Sequence, residues 1–230
     1  MKVVLTGHGA FADEYLRQYK AEIVSLRSKD VADYADIIIH NAAKINCCDD
    51  IDAINANIKP TEFLLSQIKN QKLIYLSSMS VIDDSINTPY SRSKKYCEYM
   101  VLSEVKNAVV VRFSTIFYAN KEKDALSRMI YNAIKYDSVN LIGTGSGKRD
   151  WLPLADAVKT VHSLISKSGV FTLASGQATS FLDLARIIQD LRPEVKINFS
   201  AGEEKSVLCD FEKTVDVNLK EVIKCNLAER

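Results

Sequence analysis

Tyr90 and Lys94 stand four residues apart in "PYSRSKKYCE", directly behind Pro89 and shortly after the run "YLSSMSV". Proline suits the first turn of a helix, and residues four apart share one helical face, so a helix entered at Pro89 stacks the phenol beside the ammonium. That pairing is acid/base equipment. The positive charge stabilises the phenolate and draws the tyrosine pKa from ~10 toward neutrality. A serine of "YLSSMSV", at the carboxyl end of a strand where open α/β sheets bind ligands, can hydrogen-bond a substrate carbonyl while Tyr90 gives or takes the proton.

A second constellation opens the chain. "VVLTGHGAFADEYL" reads as strand, turn and helix with Gly7, Gly9 and Ala12 in a GxGxxA pattern. Gly7 suits the tight turn, Gly9 lets a pyrophosphate approach the backbone, and Ala12 permits close helix-to-strand contact, with phosphate oxygens at the positive helix end. The dinucleotide contacts expected from this loop are Gly7, His8, Gly9, Phe11 and Ala12. His8 and His40 both fall in loops expected beside the cofactor. The next strand, "EIVSL", runs into Arg27, Ser28 and Lys29 rather than the acidic residue that grips a ribose 2′-hydroxyl. An arginine there accommodates a 2′-phosphate, which favours NADP(H), with NAD(H) as the alternative.

These groups need a scaffold, and the hydrophobic pattern supplies one. Apolar, β-branched runs recur at residues 3–5, 23–26, 37–40, 73–76, 109–113 and 170–173, separated by helical stretches. Uniformly apolar strands alternating with helices indicate a parallel sheet covered on both faces, a Rossmann-type doubly wound α/β fold. The ten residues "RSKDVADYAD" between the second and third runs are too few for a crossover helix and strand, so the sheet is expected to be trimmed there. "TSFLDLARIIQDLRP" reads as a late packing helix, with Ser180 as cap, Asp183 three residues on, apolar positions at Phe181, Leu184, Ile188 and Leu191, and Pro193 beyond the end.

Composition excludes several classes. With 230 residues, 47% of them hydrophobic, the chain can bury a full core, and a net charge of +1 leaves no footprint for nucleic acid or an anionic membrane. The five cysteines, Cys47, Cys48, Cys97, Cys209 and Cys225, are odd in number and lack CxxC spacing, which argues for neither a disulfide framework nor a zinc site and points to a reduced, cytoplasmic protein. "MKVVLTGHGA" is unlike a secretory signal, and no apolar run reaches membrane-spanning length. His162 lies in an apolar helical pattern, the three histidines suggest no metal site, and Cys47, Cys48, Asp49 and Asp50 read as a structural loop.

In order along nearly the whole chain, "TGHGAFA", "DIIIHNAA", "NIKPTEFLL", "YLSSMSV", "PYSRSK", "VVVRFSTIF" and "LIGTGSGKRDWLPLADAVK" resemble the motifs of the extended short-chain dehydrogenases/reductases that act on nucleotide sugars. The last segment is the most diagnostic of a sugar-nucleotide substrate. The resemblance implies a catalytic triad of Ser78, Tyr90 and Lys94, with Ser78 chosen over Ser77 and Ser80 by its place three residues before Val81. It places Asn41, Ala42 and Ala43 beside the cofactor, together with Lys94. It assigns substrate contacts to Ser78, Thr115 and Arg149, the guanidinium of Arg149 meeting the diphosphate. Asp150 and Asp156 would organise a loop and a helix start, and Trp151 would pack beneath the substrate loop.

The departures are specific. The glycine loop is one residue short of the family's TGxxGxxG, Thr115 stands where a substrate-binding Asn is common, and Tyr118 where Gly is usual. Tyr90 follows Ser78 by only 12 residues, which shortens the loop over the site. The Asp-Glu pair that follows the catalytic Thr of dehydratases is Met79 and Ser80 here, which argues against 4,6-dehydration, and Ser80 also replaces the reactive Cys of fucose-synthase-like enzymes. Reduction of a nucleotide-linked 4-keto sugar by NADPH, as in dTDP-4-dehydrorhamnose reductases, is the favoured reading. An NAD-dependent 4-epimerase is the alternative, and a non-catalytic dinucleotide sensor or scaffold is the alternative of another class. The expected organisation is a dinucleotide-binding part at residues 1–117 with 155–175 and a small, shortened substrate part at 118–154 and 176–230, in a single compact unit. The helices around "NIKPTEFLLSQIKN" and "SRSKKYCEYMVLSEV" form a four-helix dimer interface in relatives, so the resemblance implies a homodimer.

Overall fold

The computed structural model describes residues 1–26, 31, 35–83, 85–119, 124–204, 207 and 210–228. The chain divides into two compact units, residues 1–113 with 158–172 and residues 114–157 with 173–230.

The first unit begins β1 (Val3–Thr6), α1 (Ala10–Gln18), β2 (Glu22–Val24), β3 (Ile37–His40), α2 (Asp50–Ala53), a π turn (Ile54–Ile58) and α3 (Lys59–Gln67). It continues through β4 (Lys72–Ser78), α4 (Pro89–Glu104) and β5 (Val109–Phe113). The remaining strand of its sheet, β9 (Gly169–Leu173), comes later in the chain. The six strands are the six apolar runs of the sequence, ordered β2-β1-β3-β4-β5-β9. Pairing is parallel from β2 through β5, with Val4 opposite Ile38, Ile38 opposite Leu73 and Ile74 opposite Val109. Every residue of β1 and β3 is buried, as a sheet covered on both faces requires. Among the described residues only β2 lies outside β1, the trimming that the short second connection dictates.

Local chemistry sets the helices. Thr88 caps α4 reciprocally with Ser91, and Pro89 enters its first turn, where a missing N–H loses nothing. Pro60 has no N–H to return to the preceding turn, and the wide π turn sits immediately ahead of it. The core of the unit is a cluster around Val4, Ile38, Leu64, Leu73, Tyr75 and Val101. Helix α6 (Leu154–Ser163) brings His162 against α1: the Tyr15 hydroxyl pairs with His162 Nδ1 at 2.7 Å, and the Tyr19 ring stacks on the imidazole at 3.7 Å. His162 is thus a packing residue, and burial pushes the Tyr15 phenol up to about 12.

The second unit holds β6 (Thr115–Phe117), α5 (Ala125–Tyr136), β7 (Ser138–Ile142), β8 (Lys148–Pro153), β10 (Ala178–Ser180), α7 (Phe181–Leu191), β11 (Lys196–Ser200) and α8 (Leu219–Ala228). Two small sheets form, β10-β8-β6 and β11-β7. The α7 cap is the one the sequence specifies: Ser180 accepts the Asp183 N–H and donates its hydroxyl to the Asp183 carboxylate. Trp151 is buried edge-on to Phe181, with ring centroids 5.9 Å apart. Buried Asp150 accepts the backbone N–H groups of Ser175 at 2.9 Å and Gly176 at 2.7 Å, organising the turn after β9. Replacing Asp150 by Ala orphans both amides, so Asp150→Ala should lose about 2–4 kcal/mol in urea unfolding, with Asp150→Asn losing less.

Candidate active site

Parallel register aligns Thr6, His40 and Tyr75 on neighbouring strands; loops open directly after Thr6 and His40, while β4 runs on to Ser78, all along one carboxyl edge of the sheet. Gly7 has φ +97°, and a Cβ there would lie 2.6 Å from the Ala42 Cα and 2.8 Å from its nitrogen. The β1 turn therefore presses directly onto the 41–43 loop, and only glycine fits. Gly9 is different: at φ +151° its missing side chain would meet nothing nearer than Asn41 Nδ2 at 3.9 Å. It is also the N-cap of α1, and among the described residues no side chain caps that helix end. Open space over an uncapped helix N-terminus suits the phosphates of a dinucleotide.

The other residues expected in this loop divide. His8 is exposed at the turn. Ala12 is fully buried, as close helix-to-strand contact demands, and the Phe11 ring turns inward against Phe113 and Tyr15 at centroid distances of 5.9 and 6.3 Å. Any contact these two make to a cofactor must come from the backbone. Arg27 and Ser28, on which the cofactor preference rests, lie outside the described residues.

His40 overturns its expected place in a cofactor loop. It ends β3 fully buried, with Nδ1 2.6 Å from the Thr6 hydroxyl and Nε2 3.0 Å from that of Thr61. Thr61 donates its own proton to the Asn57 carbonyl, so it accepts from Nε2–H, and Nδ1 accepts from Thr6. Burial, reinforced by the Lys94 charge, pushes this imidazole down to about 3. A neutral side chain with both nitrogens satisfied is a core element.

Lys94 shows the reverse economy. Only 2% of it is exposed, yet its ammonium donates to the Leu76 carbonyl and sits 4.2 Å from the centroid of the Tyr75 ring. Burial lowers its pKa to about 8, opposed by the nearby Cys97 and Glu98. Buried Glu98, one helical turn further along α4, pairs with Arg112 of β5 through two short contacts of 2.6 and 3.0 Å. Tyr90 is half-buried on the first turn of α4. The Tyr75 phenol is driven up chiefly by burial.

Ser78 ends β4, half-buried, and its Oγ accepts from the Ser80 N–H at 3.2 Å and the Ser80 hydroxyl at 3.0 Å. Both acceptor positions are taken, which leaves the Ser78 O–H to donate outward. Ser77 is buried, and its hydroxyl has no hydrogen-bond partner among the described residues.

Asn57, to which the sequence reading gave no role, ties this edge together. Its Oδ1 accepts the Lys44 N–H at 2.7 Å, and its Nδ2 donates to the Lys44 carbonyl at 3.1 Å and to Ser93 Oγ at 2.9 Å. Ser93 in turn donates to the Tyr90 carbonyl at 2.8 Å. The signal was an asparagine at a helix position where the pattern is otherwise apolar.

In the first unit Gly7 and the 41–43 loop meet at the sheet edge, Ser78 ends β4, and Lys94 is bonded to β4 at Leu76 with Tyr90 one helical turn before it on α4. Thr115 and Arg149 belong to the second unit. Thr115 starts β6 opposite Trp151. Arg149 donates to the Lys148 carbonyl at 2.7 Å, lies 5.5 Å from the Phe181 ring centroid, and lines a cavity of about 360 Å³. Among the described residues no cluster of His, Cys, Asp or Glu could hold a metal ion, and no helix is long and apolar enough to cross a membrane.

A family model described as the NAD dependent epimerase/dehydratase family matches residues 24–174. No curated protein matches the sequence. Solved structures share the fold at low identity. MoeE5 in complex with UDP-glucose and NAD superposes with a TM-score of 0.81 at 17% identity, covering 99% of this chain and 97% of that one. RMD from Pseudomonas aeruginosa complexed with NADPH gives 0.81 at 14% identity, covering 100% and 98%. A UDP-N-acetylglucosamine 4-epimerase from Methanobrevibacter ruminantium M1, in complex with UDP-N-acetylmuramic acid, gives 0.80 at 18% identity, covering 98% and 96%.

The two buried bases make stability depend on pH. His40 titrates near 6.5 when unfolded but at about 3 when folded, so its stabilisation is complete above pH 6.5 and is lost as pH falls toward 3. Lys94 titrates at 10.5 unfolded and about 8 folded, so the unfolded chain holds the extra proton between those values. Stability should therefore rise by about 3 kcal/mol from pH 8 to 10.5. Urea unfolding across pH should show the acid slope diminished in His40→Gln and the alkaline slope diminished in Lys94→Met.

Proposed function

The chain belongs to the NAD dependent epimerase/dehydratase family, the extended branch of the short-chain dehydrogenases/reductases, and we propose that within it the protein is an NADPH-dependent reductase of a nucleotide-linked 4-keto sugar. The observation that carries the reading is the Lys94 ammonium, buried at the carboxyl edge of β4 on the helical face that also presents Tyr90.

The dinucleotide fits the residues at hand: the open backbone at Gly7, His8 and Gly9, the uncapped start of α1, and the loop of Asn41, Ala42 and Ala43. When bound and reduced it supplies hydride to a carbonyl carbon. Ser78, its acceptor positions filled by Ser80, donates its O–H to the carbonyl oxygen and orients it. Tyr90 delivers its proton to that oxygen as negative charge develops there. Lys94 has one N–H committed to Leu76 and two more to offer, which suits it to hold the cofactor ribose and keep the phenol acidic.

Preference for the 2′-phosphorylated cofactor rests on Arg27 and Ser28 following β2 in place of an acidic residue. Dehydration finds no support, since Met79 is buried and the hydroxyl of Ser80 is engaged by Ser78. In the second unit, Thr115 and Arg149 are the proposed substrate contacts, Arg149 taking the diphosphate. Cys47, Cys48, Cys97 and Cys225 are free thiols, which accords with a cytoplasmic setting.

We also infer a homodimer. Ile51, Ile54 and Phe63 around α2 and α3, and Tyr96, Tyr99 and Leu102 on α4, are exposed apolar groups on helices that contact one another. Two copies would bury them. A paired Phe63→Glu, Tyr99→Glu variant should sediment as a monomer where the wild type sediments as a dimer.

The catalytic reading is tested by Tyr90→Phe, expected to lower kcat about 10²–10⁴-fold with KM little changed, followed as NADPH oxidation with UDP- or dTDP-linked 4-keto hexoses. Undiminished turnover would sink the reading. A dinucleotide released on denaturation and identified as NAD would favour the 4-epimerase, and NADPH binding without turnover of any keto sugar would favour a sensor.

A further inference from the structure

The loop "GTGSG", residues 143–147, is wrapped around a carboxylate of the chain itself. Glu204 Oε1 accepts from the Thr144 backbone N–H and, at 2.9 Å, from the Thr144 hydroxyl. Its Oε2 accepts from the Ser146 hydroxyl at 2.5 Å and the Gly147 N–H at 3.0 Å. Gly143 at φ +61° and Gly145 at φ +74° turn the loop so that these donors converge, and a Cβ on Gly143 would collide with the Glu204 side chain. Converging backbone N–H groups at left-handed positions form an anion nest that accepts carboxylate or phosphate alike. Here all four donors are taken, and they hold the Glu204 carboxyl down to about 2, ionised throughout the physiological range.

The cavity that this loop borders is also lined by Arg128, Arg149, Glu203 and Phe181. Arg149 is braced against the Phe181 ring. Arg128, on the first turn of α5, is exposed and has no ion-pair partner among the described residues. An entering polyanion would meet repulsion at Glu203 and Glu204 and attraction at two planar guanidinium groups shaped for bidentate phosphate contacts.

We propose that Glu204 is a resident anion filling the phosphate nest of the 143–147 loop, and that a nucleoside diphosphate in this cavity therefore places its phosphates on Arg128 and Arg149. Arg128 thereby becomes a binding residue and Glu204 a determinant of where phosphate sits. The Arg128 half rests on the reading of a nucleotide-linked substrate. The Glu204 half does not.

Calorimetric titration with UDP, uridine and inorganic pyrophosphate separates the two. Arg128→Gln should weaken UDP about tenfold or more and flatten its salt dependence while leaving uridine unchanged. Glu204→Gln, which keeps the side chain's shape, and Glu204→Ala should each bind pyrophosphate about tenfold more tightly than wild type, because the nest loses its resident charge. Unchanged UDP affinity in Arg128→Gln would overturn the phosphate placement. Unchanged or weaker pyrophosphate binding in Glu204→Gln, with the thermal melt retained, would overturn the resident-anion assignment. If the wild type binds pyrophosphate but neither UDP nor dTDP, the nucleotide reading fails, and tighter pyrophosphate in the Glu204 variants still upholds the nest.

Discussion

Lys94 carries an ammonium into a place with almost no water, and the surrounding structure answers that constraint. Burying an ion costs several kcal/mol unless its environment compensates. The compensation comes from the Leu76 carbonyl, the face of the Tyr75 ring and the carboxylate of Glu98 one turn away. It also requires His40 to stay neutral, since a second cation there would be intolerable, and the Thr6 and Thr61 hydroxyls satisfy the imidazole without charging it. Burial first, and the Lys94 charge second, thus keep His40 neutral at the β3–β4 seam.

The same constraint fixes helix α4. Lys94 ties it to β4, the Glu98–Arg112 pair ties it to β5, and Ser93 ties its first turn through Asn57 to the loop after β3. The Thr88–Ser91 cap closes its entrance, so contacts at four places along the helix oppose its rotation or sliding. A tyrosine on the first turn of such a helix takes its position from the helix. Ser78 is fixed by a different device, a strand end running into a short turn whose own N–H and hydroxyl saturate its acceptor sites.

Much of this was legible because the physics is local. The six strands of the main sheet write themselves as six apolar runs, and the Ser180 and Pro89 helix starts follow from capping chemistry. Tyr90 and Lys94 could be read as a pair because four residues along a helix is a fixed geometry. His40 could not. A histidine ending an apolar run is as consistent with a loop as with a core, and only the threonines 34 residues before it and 21 after it decide the matter. The direction of the Phe11 side chain was hidden for a similar reason: it lies within a ligand-binding pattern, while its ring answers to Phe113 and only its backbone is left to face a ligand. Glu204 was beyond reach, since its partners lie about 60 residues upstream and no spacing rule connects a lone carboxylate to a glycine loop.

The two glycine-rich turns of this chain carry the point further. "GHG" and "GTGSG" look alike on paper, both offering backbone donors freed by residues that tolerate positive φ. In the first, the space over Gly9 is open and the helix end behind it lacks any side-chain cap, so an incoming phosphate finds both room and unspent N–H groups. In the second, Glu204 has arrived first and every converging donor is engaged. Glycine content therefore reports where a backbone can form a nest, while the supply of anions elsewhere in the chain decides whether that nest remains available. By that criterion the first turn can depend on backbone amides to hold phosphate, and the second unit must depend on the guanidinium groups of its cavity.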